Sequence, residues 1–88
     1  MKYQWDKIKA TSNLQKHGIE VADAASVFSD DLAITILDNR FDEERFVTIG
    51  TDVFGRISVI VFTWRSEEIR LISARLAERR ERKQYEED

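Results

Sequence analysis

Residues 56–64 constrain the fold of this chain more than any other segment, because they are apolar on both faces of an extended strand. Two apolar sets alternate along them: Ile57, Val59 and Val61, then Ile60, Phe62 and Trp64. A strand that is apolar on both faces has to be covered on both sides. The segment therefore predicts the central strand of a sheet with other elements packed on each face.

Three further segments are predicted as strands, over about 32–37, 45–49 and 68–73. They are short, rich in β-forming residues and bounded by polar or glycine-containing turns. Because the connections between them are short, consecutive strands are expected to pair antiparallel. The pattern therefore predicts a four-stranded antiparallel sheet.

A first helix is predicted over about 7–17. Asp6 is placed to cap its N-terminus and Gly18 to end it. The helical spacing is expected to turn Ile8 and Leu14 toward the core.

Two more helices complete the expected fold. One spans about 20–28, where four apolar residues share a face: Val21, Ala24, Ala25 and Phe28. The other runs from Ala74 to about Glu86, with Ser73 as its N-cap. The fold class is therefore α+β, a single domain over 1–88 with two N-terminal helices, the four-stranded antiparallel sheet and a C-terminal helix.

Composition excludes several function classes. The 88 residues include no cysteine and one histidine, so a disulfide framework, a thiolate zinc site and a cysteine nucleophile are excluded. A histidine-rich metal centre is not expected either. No apolar run approaches the roughly 18–20 residues needed to cross a bilayer. The charged N-terminus does not have the pattern of a signal peptide. A cytoplasmic protein without a membrane partner is expected.

Charge is segregated along the chain. Residues 1–55 carry a balance of −4, residues 56–83 a balance of +4, and the last five residues −3. A local positive field steers a polyanion more effectively than the net charge of −3 suggests. The basic segment is thus a candidate surface for nucleic acid.

Arginines dominate this basic segment. Arg65 is expected at a hairpin turn and Arg70 within a strand, where Arg70 lies on the face away from the apolar neighbours. The other four are expected on the last helix: Arg75, Arg79, Arg80 and Arg82. Of these, Arg75, Arg79 and Arg82 are spaced to share one face of the helix. Guanidinium groups match phosphate bidentately. The other interpretation, a solvated helix face held by weak ion pairs, stays open.

Three aromatic or titratable positions also allow two interpretations each. His17 ends the first helix, where it interacts with the helix dipole or acts as a general acid or base. Tyr85 packs its ring on the domain, or stacks on a base or donates to a phosphate. Trp5 and Trp64 are expected as core anchors rather than nucleobase platforms.

The remaining residue types suffice for one reaction class. No nucleotide loop, Ser–His–Asp signature or metal-ligand cluster is present. Metal-free RNA cleavage needs only a base for the ribose 2′-hydroxyl, cations for the phosphorane and an acid for the leaving 5′-oxygen.

The chain resembles the BrnT toxins. The segments that carry the resemblance are Tyr3-Gln4-Trp5-Asp6 through Asn13-Leu14-Gln15-Lys16-His17-Gly18-Ile19, then Arg45-Phe46-Val47-Thr48-Ile49-Gly50, and finally Thr63 to Arg75 with Ala77, Glu81 and Tyr85. The resemblance implies a RelE-like α+β fold and a ribonuclease that arrests translation. It also implies neutralisation by a BrnA-like ribbon-helix-helix antitoxin, with operator DNA bound only through that antitoxin.

Residue chemistry and resemblance together define the expected site, with no metal or cofactor. The expected catalytic residues are Arg70, Arg75, His17, Glu81 and Tyr85. The expected RNA-binding residues are Arg65, Arg79, Arg80, Arg82 and Lys83. The antitoxin is expected to cover this basic surface. Two other functions stay open: a non-catalytic nucleic-acid-binding regulator, and an interaction module whose charged helix only docks a partner protein.

Overall fold

A computed structural model describes residues 2–40 and 42–87, leaving Met1, Phe41 and Asp88 outside the description. Within these ranges a five-stranded mixed sheet carries helices on both faces. The elements in chain order are β1 (Tyr3–Gln4), α1 (Lys7–His17), α2 (Val21–Ala24), β2 (Ile34–Asp38), β3 (Arg45–Thr51), β4 (Ile57–Arg65), β5 (Glu68–Leu76) and α3 (Arg79–Glu86).

The strands lie in the order β1-β5-β4-β3-β2, so β4 is the middle strand, as predicted from its two apolar faces. Strands β2 to β5 pair antiparallel in consecutive order, which confirms the predicted pairing. The number of strands was wrong, because β1 adds a fifth strand that pairs parallel to β5. A two-residue strand leaves no periodic signal in the sequence and exists only through its partner.

Two apolar clusters cover the sheet. The larger lies under α1 and α2, where Phe28 meets Phe62 edge to face with 4.9 Å between ring centroids. The smaller lies under α3 and is built on Ile49, Val59 and Ala77, with Tyr85 packed against it. Successive residues of β4 therefore enter opposite clusters, which is why the strand is apolar on both faces.

Helix α1 has the predicted bounds. The Asp6 carboxylate accepts hydrogen bonds from the amides of Ile8 and Lys9, and Gly18 ends the helix at a φ of 71°. The predicted core positions were wrong, because Ile8 is 80% exposed and Leu14 is 38% exposed. The buried residue of α1 is instead Asn13. Its hydrogen bonds decide which side of the helix faces the sheet.

The Asn13 amide ties α1 to β5. Its Nδ2 donates to the carbonyls of Ile19 (3.1 Å) and Ala74 (2.8 Å), and its Oδ1 accepts from the amide of Ala74 (3.1 Å). Both backbone groups of Ala74 are thereby satisfied at a buried position. A buried polar group that loses its partner destabilises the fold by about 1–3 kcal/mol.

Replacing Asn13 with alanine is expected to lower the free energy of unfolding by about 2–3 kcal/mol, since it leaves the peptide groups of Ala74 without partners in the core. Urea denaturation measures the loss. Ser12→Ala, at an exposed position of the same helix, is the control and is expected to change stability by less than about 0.5 kcal/mol. Equal midpoints for the two variants would contradict the assigned role.

Two predicted helices are shorter than expected. The second is α-helical over Val21–Ala24 and continues as a 3₁₀ helix over Ala25–Ser29. The third begins at Arg79, because Ala74, Arg75 and Leu76 pair with β4 instead. Sheet pairing here overrides a helical propensity that is individually weak.

The N-cap of α3 is therefore Glu78 rather than Ser73. Glu78 and Glu81 form a capping box in which the Glu81 carboxylate accepts from the amide of Glu78 at 2.8 Å. Arg75, Arg79 and Arg82 do not share a helix face, since Arg75 belongs to β5.

The two tryptophans are not core anchors. Trp5 is 38% exposed and Trp64 is 45% exposed, and neither belongs to an apolar cluster of the described residues. Separately, none of the helices that the structure describes is long and apolar enough to span a bilayer.

Candidate functional site

A β-bulge places Arg70 and Arg75 on the same face of the sheet. Five residues apart in a regular strand, they would lie on opposite faces. In β5, however, Leu71 pairs with Phe62 and Ser73 with Val61, so Ile72 is inserted without a partner. After this bulge the side-chain alternation is reversed, and Arg75 rejoins the face of Arg70.

This face is the one under α3, and we call the part between Arg70 and Arg75 the arginine face. Arg70 pairs with Thr63 and Arg75 with Val59, so four rises of about 3.3 Å put the arginines roughly 13 Å apart along the sheet. Ser73 lies between them, opposite Val61. Neither residue is fully buried, so the floor of the arginine face is open to a ligand.

At one end of the arginine face, Arg75 forms a bidentate ion pair with Glu81 of α3. The Nη1–Oε1 distance is 2.6 Å and the Nη2–Oε2 distance is 2.8 Å. The hydrogen bonds from Arg75 hold the pKa of Glu81 below its usual range, while partial burial opposes them. The pair holds α3 on the sheet and keeps a carboxylate ionised beside a guanidinium.

Tyr85 lies one helical turn beyond Glu81 on the same side of α3. Its hydroxyl donates to Asp30 Oδ2 at 2.5 Å and lies 3.0 Å from Thr51 Oγ1. The Asp30 carboxylate raises the pKa of Tyr85, while the hydrogen bond with Thr51 lowers it. The pKa of Asp30 is lowered by the amide of Thr51 and then by Tyr85. Tyr85 thus packs its ring on the domain and also ties α3 to Asp30 and Thr51 through its hydroxyl.

At the other end of the arginine face, Arg70 is bound to a neutral side chain. Its Nη1 donates to Gln4 Oε1 at 2.9 Å, and Gln4 Nε2 donates to Glu68 Oε2 at 2.7 Å. An open cleft of about 870 Å³ adjoins Gln4 and Glu68, with Lys2 and Arg65 on its walls. The cleft brings two cationic side chains next to this end.

His17 is separated from the other four predicted catalytic residues. It ends α1, which packs on the larger cluster, whereas Glu81 and Tyr85 lie on α3 over the smaller cluster. Within residues 2–40 and 42–87, no hydrogen bond or ion pair joins the His17 side chain to the arginine face. The sheet itself stands between them.

The predicted RNA-binding residues lie around the arginine face rather than on it. Arg65 is exposed at the β4–β5 hairpin, and the other four are exposed along α3: Arg79, Arg80, Arg82 and Lys83. Since Glu81 and Tyr85 occupy the side of α3 toward the sheet, these cations form its outer surface. They do not form one continuous helix face with Arg75.

Three residues of this region were not predicted from the sequence. Gln4 contacts Arg70, and Asp30 contacts Tyr85. Each pair is distant in sequence, so no local pattern predicts either contact. Arg45 was detectable, because it alternates with Val47 and Ile49 in β3 and so belongs to the α3 face. Its Nε lies 3.5 Å from Glu43 Oε1.

No group of three or more histidine, cysteine, aspartate or glutamate side chains is placed to hold a metal ion in the part of the chain that the structure describes.

Comparisons with known proteins agree on one family. A family model described as the ribonuclease toxin BrnT of type II toxin-antitoxin systems matches residues 5–81. Among solved structures, the Brucella abortus ribonuclease toxin BrnT is similar, with 28% identity, a TM-score of 0.67 and coverage of 90% of this chain and 99% of that chain. No curated protein matches. The broader RelE-like relationship stays a prediction. Because the family model covers most of the chain, this protein belongs to the BrnT family of ribonuclease toxins of type II toxin-antitoxin systems.

Proposed function

We propose that this chain is an endoribonuclease that cleaves RNA without a metal ion or cofactor and thereby inhibits translation. One observation carries the proposal beyond family membership: the bulge at Ile72 brings Arg70 onto the same open face as the Arg75–Glu81 pair. That arrangement combines a cation with an ionised carboxylate over an open floor. Metal-free RNA cleavage requires these groups.

In the proposed reaction, the scissile phosphate lies over Ser73 between the two arginines. Glu81 accepts the proton of the ribose 2′-hydroxyl, whose oxygen attacks phosphorus as the bond to the 5′-oxygen breaks. Arg70 stabilises the charge of the phosphorane, and Arg75 orients Glu81. Water protonates the departing 5′-oxygen, because the Tyr85 hydroxyl donates its proton to Asp30 and instead helps to hold α3 in place. The products are a 2′,3′-cyclic phosphate and a 5′-hydroxyl.

His17 has no part in this reaction, because it lies across the sheet from Glu81. Its place in the last turn of α1 favours the other interpretation, an interaction with the helix dipole. The cations of α3 and Arg65 are proposed to hold the RNA on either side of the scissile phosphate.

The family's type II description implies an antitoxin partner. We propose a BrnA-like ribbon-helix-helix antitoxin that contacts operator DNA, so that this chain reaches DNA only through it. The outer surface of α3 and Arg65 offer exposed guanidinium groups to an acidic antitoxin segment. Occlusion there would block RNA without any distant conformational change.

Those same exposed cations favour a second candidate function, that of a nucleic-acid-binding regulator without catalysis. Arg79, Arg80 and Arg82 are exposed on α3, and their charge alone binds a polyanion. Cleavage separates the two functions.

Purified, antitoxin-free protein incubated with RNA in EDTA is expected to cleave it, because no step of the proposed reaction uses a metal ion. The fragments are expected to end in 2′,3′-cyclic phosphate or 3′-phosphate, as end-group analysis by mass spectrometry will show. Heat-inactivated protein and a Glu81→Gln variant are the controls for contaminating ribonuclease.

Cleavage that stops in chelator and returns with magnesium would contradict metal independence. A 3′-hydroxyl end would assign the attack to water. Binding of RNA with no cleavage would favour the regulator.

A further inference from the structure

At the Arg70 end of the arginine face, three side chains are linked by hydrogen bonds that the proposed reaction does not explain. Glu68 accepts from Gln4, and Gln4 accepts from Arg70. Gln4 precedes the residues that the family model matches. It reaches this place because β1 pairs parallel to β5, with Gln4 opposite Arg70.

Strand β1 is anchored at the two residues that precede Gln4. The amide of Ile69 donates to the carbonyl of Lys2 at 3.0 Å, and the ring of Tyr3 stacks on Phe28 at 5.6 Å between centroids. Gln4 is therefore held in register without using its own side chain. The amide group is left free to bind Arg70 and Glu68.

Glu68 and Arg70 favour the same rotation of the Gln4 amide. An ionised carboxylate only accepts hydrogen bonds, so it binds the NH₂ end of the amide. The carbonyl end is then directed toward Arg70, whose guanidinium only donates. Without Glu68 the amide keeps only its hydrogen bond with Arg70, so the Gln4 side chain is held at one end instead of two.

A neutral acceptor also leaves the Arg70 guanidinium without a hydrogen bond to a carboxylate among the described residues, and the Asp6 carboxylate acts on it only through the electrostatic field. Arg75 shows the contrast, because both terminal nitrogens of its guanidinium are paired with the Glu81 carboxylate. A guanidinium in such a pair binds phosphate only in competition with the carboxylate. One held by an amide keeps its charge and most of its N–H groups for a phosphate.

We propose that Gln4 is a positioning residue that fixes the Arg70 guanidinium for the substrate phosphate, and that Glu68 holds the Gln4 amide in place. This inference rests on the proposed ribonuclease function. It adds a residue of β1 to a site otherwise built from β5 and α3.

Gln4→Ala is expected to lower kcat on an RNA oligonucleotide by about 10- to 100-fold, with a smaller change in KM, because a misplaced guanidinium weakens the transition state more than ground-state binding. Gln4→Glu is expected to be less active than Gln4→Ala, since the new carboxylate pairs with Arg70. Gln15→Ala, at an exposed position of α1, makes the same deletion elsewhere and is expected to match the parent chain.

A double-mutant cycle separates positioning from a general role in stability. If Gln4 acts through Arg70, the Gln4→Ala/Arg70→Ala variant is no slower than Arg70→Ala alone. A further loss that adds to that of Arg70→Ala would overturn the proposal, as would parental kcat in Gln4→Ala. Glu68→Ala tests the same series of hydrogen bonds without a substitution in β1. Its control is Glu20→Ala, at an exposed position before α2.

A second readout does not depend on cleavage. Rotation of the Arg70 guanidinium, followed by NMR of its side-chain nitrogens, is expected to be faster in Gln4→Ala and Glu68→Ala than in the parent chain and both controls. Unchanged rotation would overturn the inference even if the protein cleaves RNA. An inactive parent chain whose Arg70 rotation responds to Gln4 would instead overturn the proposed function alone.

Discussion

Arg70→Ala is expected to lower kcat for RNA cleavage by about 10²–10³, the usual cost of removing one donor to a charged transition state. Arg70 is the arginine of the arginine face whose charge is not compensated by a carboxylate within hydrogen-bonding distance among the described residues. Expression of the variant is therefore expected to leave cell growth unimpaired.

The fold is expected to survive this change, because Arg70 is only partly buried and its main-chain pairing with β1 and β4 does not involve the side chain. Thermal unfolding checks this point. Arg40→Ala is the matched control, since that side chain is 78% exposed in the turn before β3. Full toxicity of Arg70→Ala at equal expression would remove Arg70 from the reaction.

Glu81→Gln is expected to lower kcat by about 10²–10⁴, the range that a general base contributes. The substitution keeps the shape of the side chain and an oxygen that accepts from the amide of Glu78, so α3 keeps its cap. What disappears is the negative charge that accepts the 2′-hydroxyl proton. Steady-state kinetics with a fixed oligonucleotide measures the loss.

The pH dependence gives this prediction a sign. Arg75 lowers the pKa of Glu81, so the base stays ionised and the acidic limb of kcat/KM lies below the ordinary glutamate value of about 4.3. In Arg75→Ala the lost hydrogen bonds raise that pKa, and the limb is expected to move to higher pH. An unmoved limb would assign the base to another residue.

The free energy of unfolding is also expected to depend on pH, through three carboxylates whose pKa is lowered in the folded protein. The pKa of Glu81 is lowered by Arg75 and that of Asp30 by the amide of Thr51. Burial raises the pKa of Asp52, but the hydrogen bonds from Arg56 and Ser58 outweigh burial, so the pKa lies below its usual value. A lowered folded-state pKa contributes stability above the unfolded value, and this stability is lost as the pH falls through the folded value. The free energy of unfolding is therefore expected to decline below about pH 4.

Local patterns predicted the elements that have a strong periodic or capping signal. The N-cap of α1, its end at Gly18 and the central place of β4 all follow from residues within the element concerned. The antiparallel order of β2 to β5 follows from short connections. These features depend on neighbours in sequence, and so the sequence is enough to predict them.

The structural predictions were wrong where a residue distant in sequence determines the local conformation. Ala74 to Leu76 have the composition of a helix, yet β4 offers them a strand partner and Asn13 binds both peptide groups of Ala74. The resemblance to BrnT toxins predicted the family correctly. It grouped His17 with the arginines, however, and the sheet separates them.

The chain's own residue order determines an α+β fold with a doubly covered central strand, a basic C-terminal third and a residue set suited to metal-free chemistry on phosphate. Tertiary structure alone decides which of these residues meet. The bulge at Ile72 reverses the alternation of β5 and joins Arg75 to the face of Arg70, and the parallel pairing of β1 brings Gln4 to Arg70. Both depend on hydrogen bonds between strands that are distant in sequence, and no local propensity encodes such contacts.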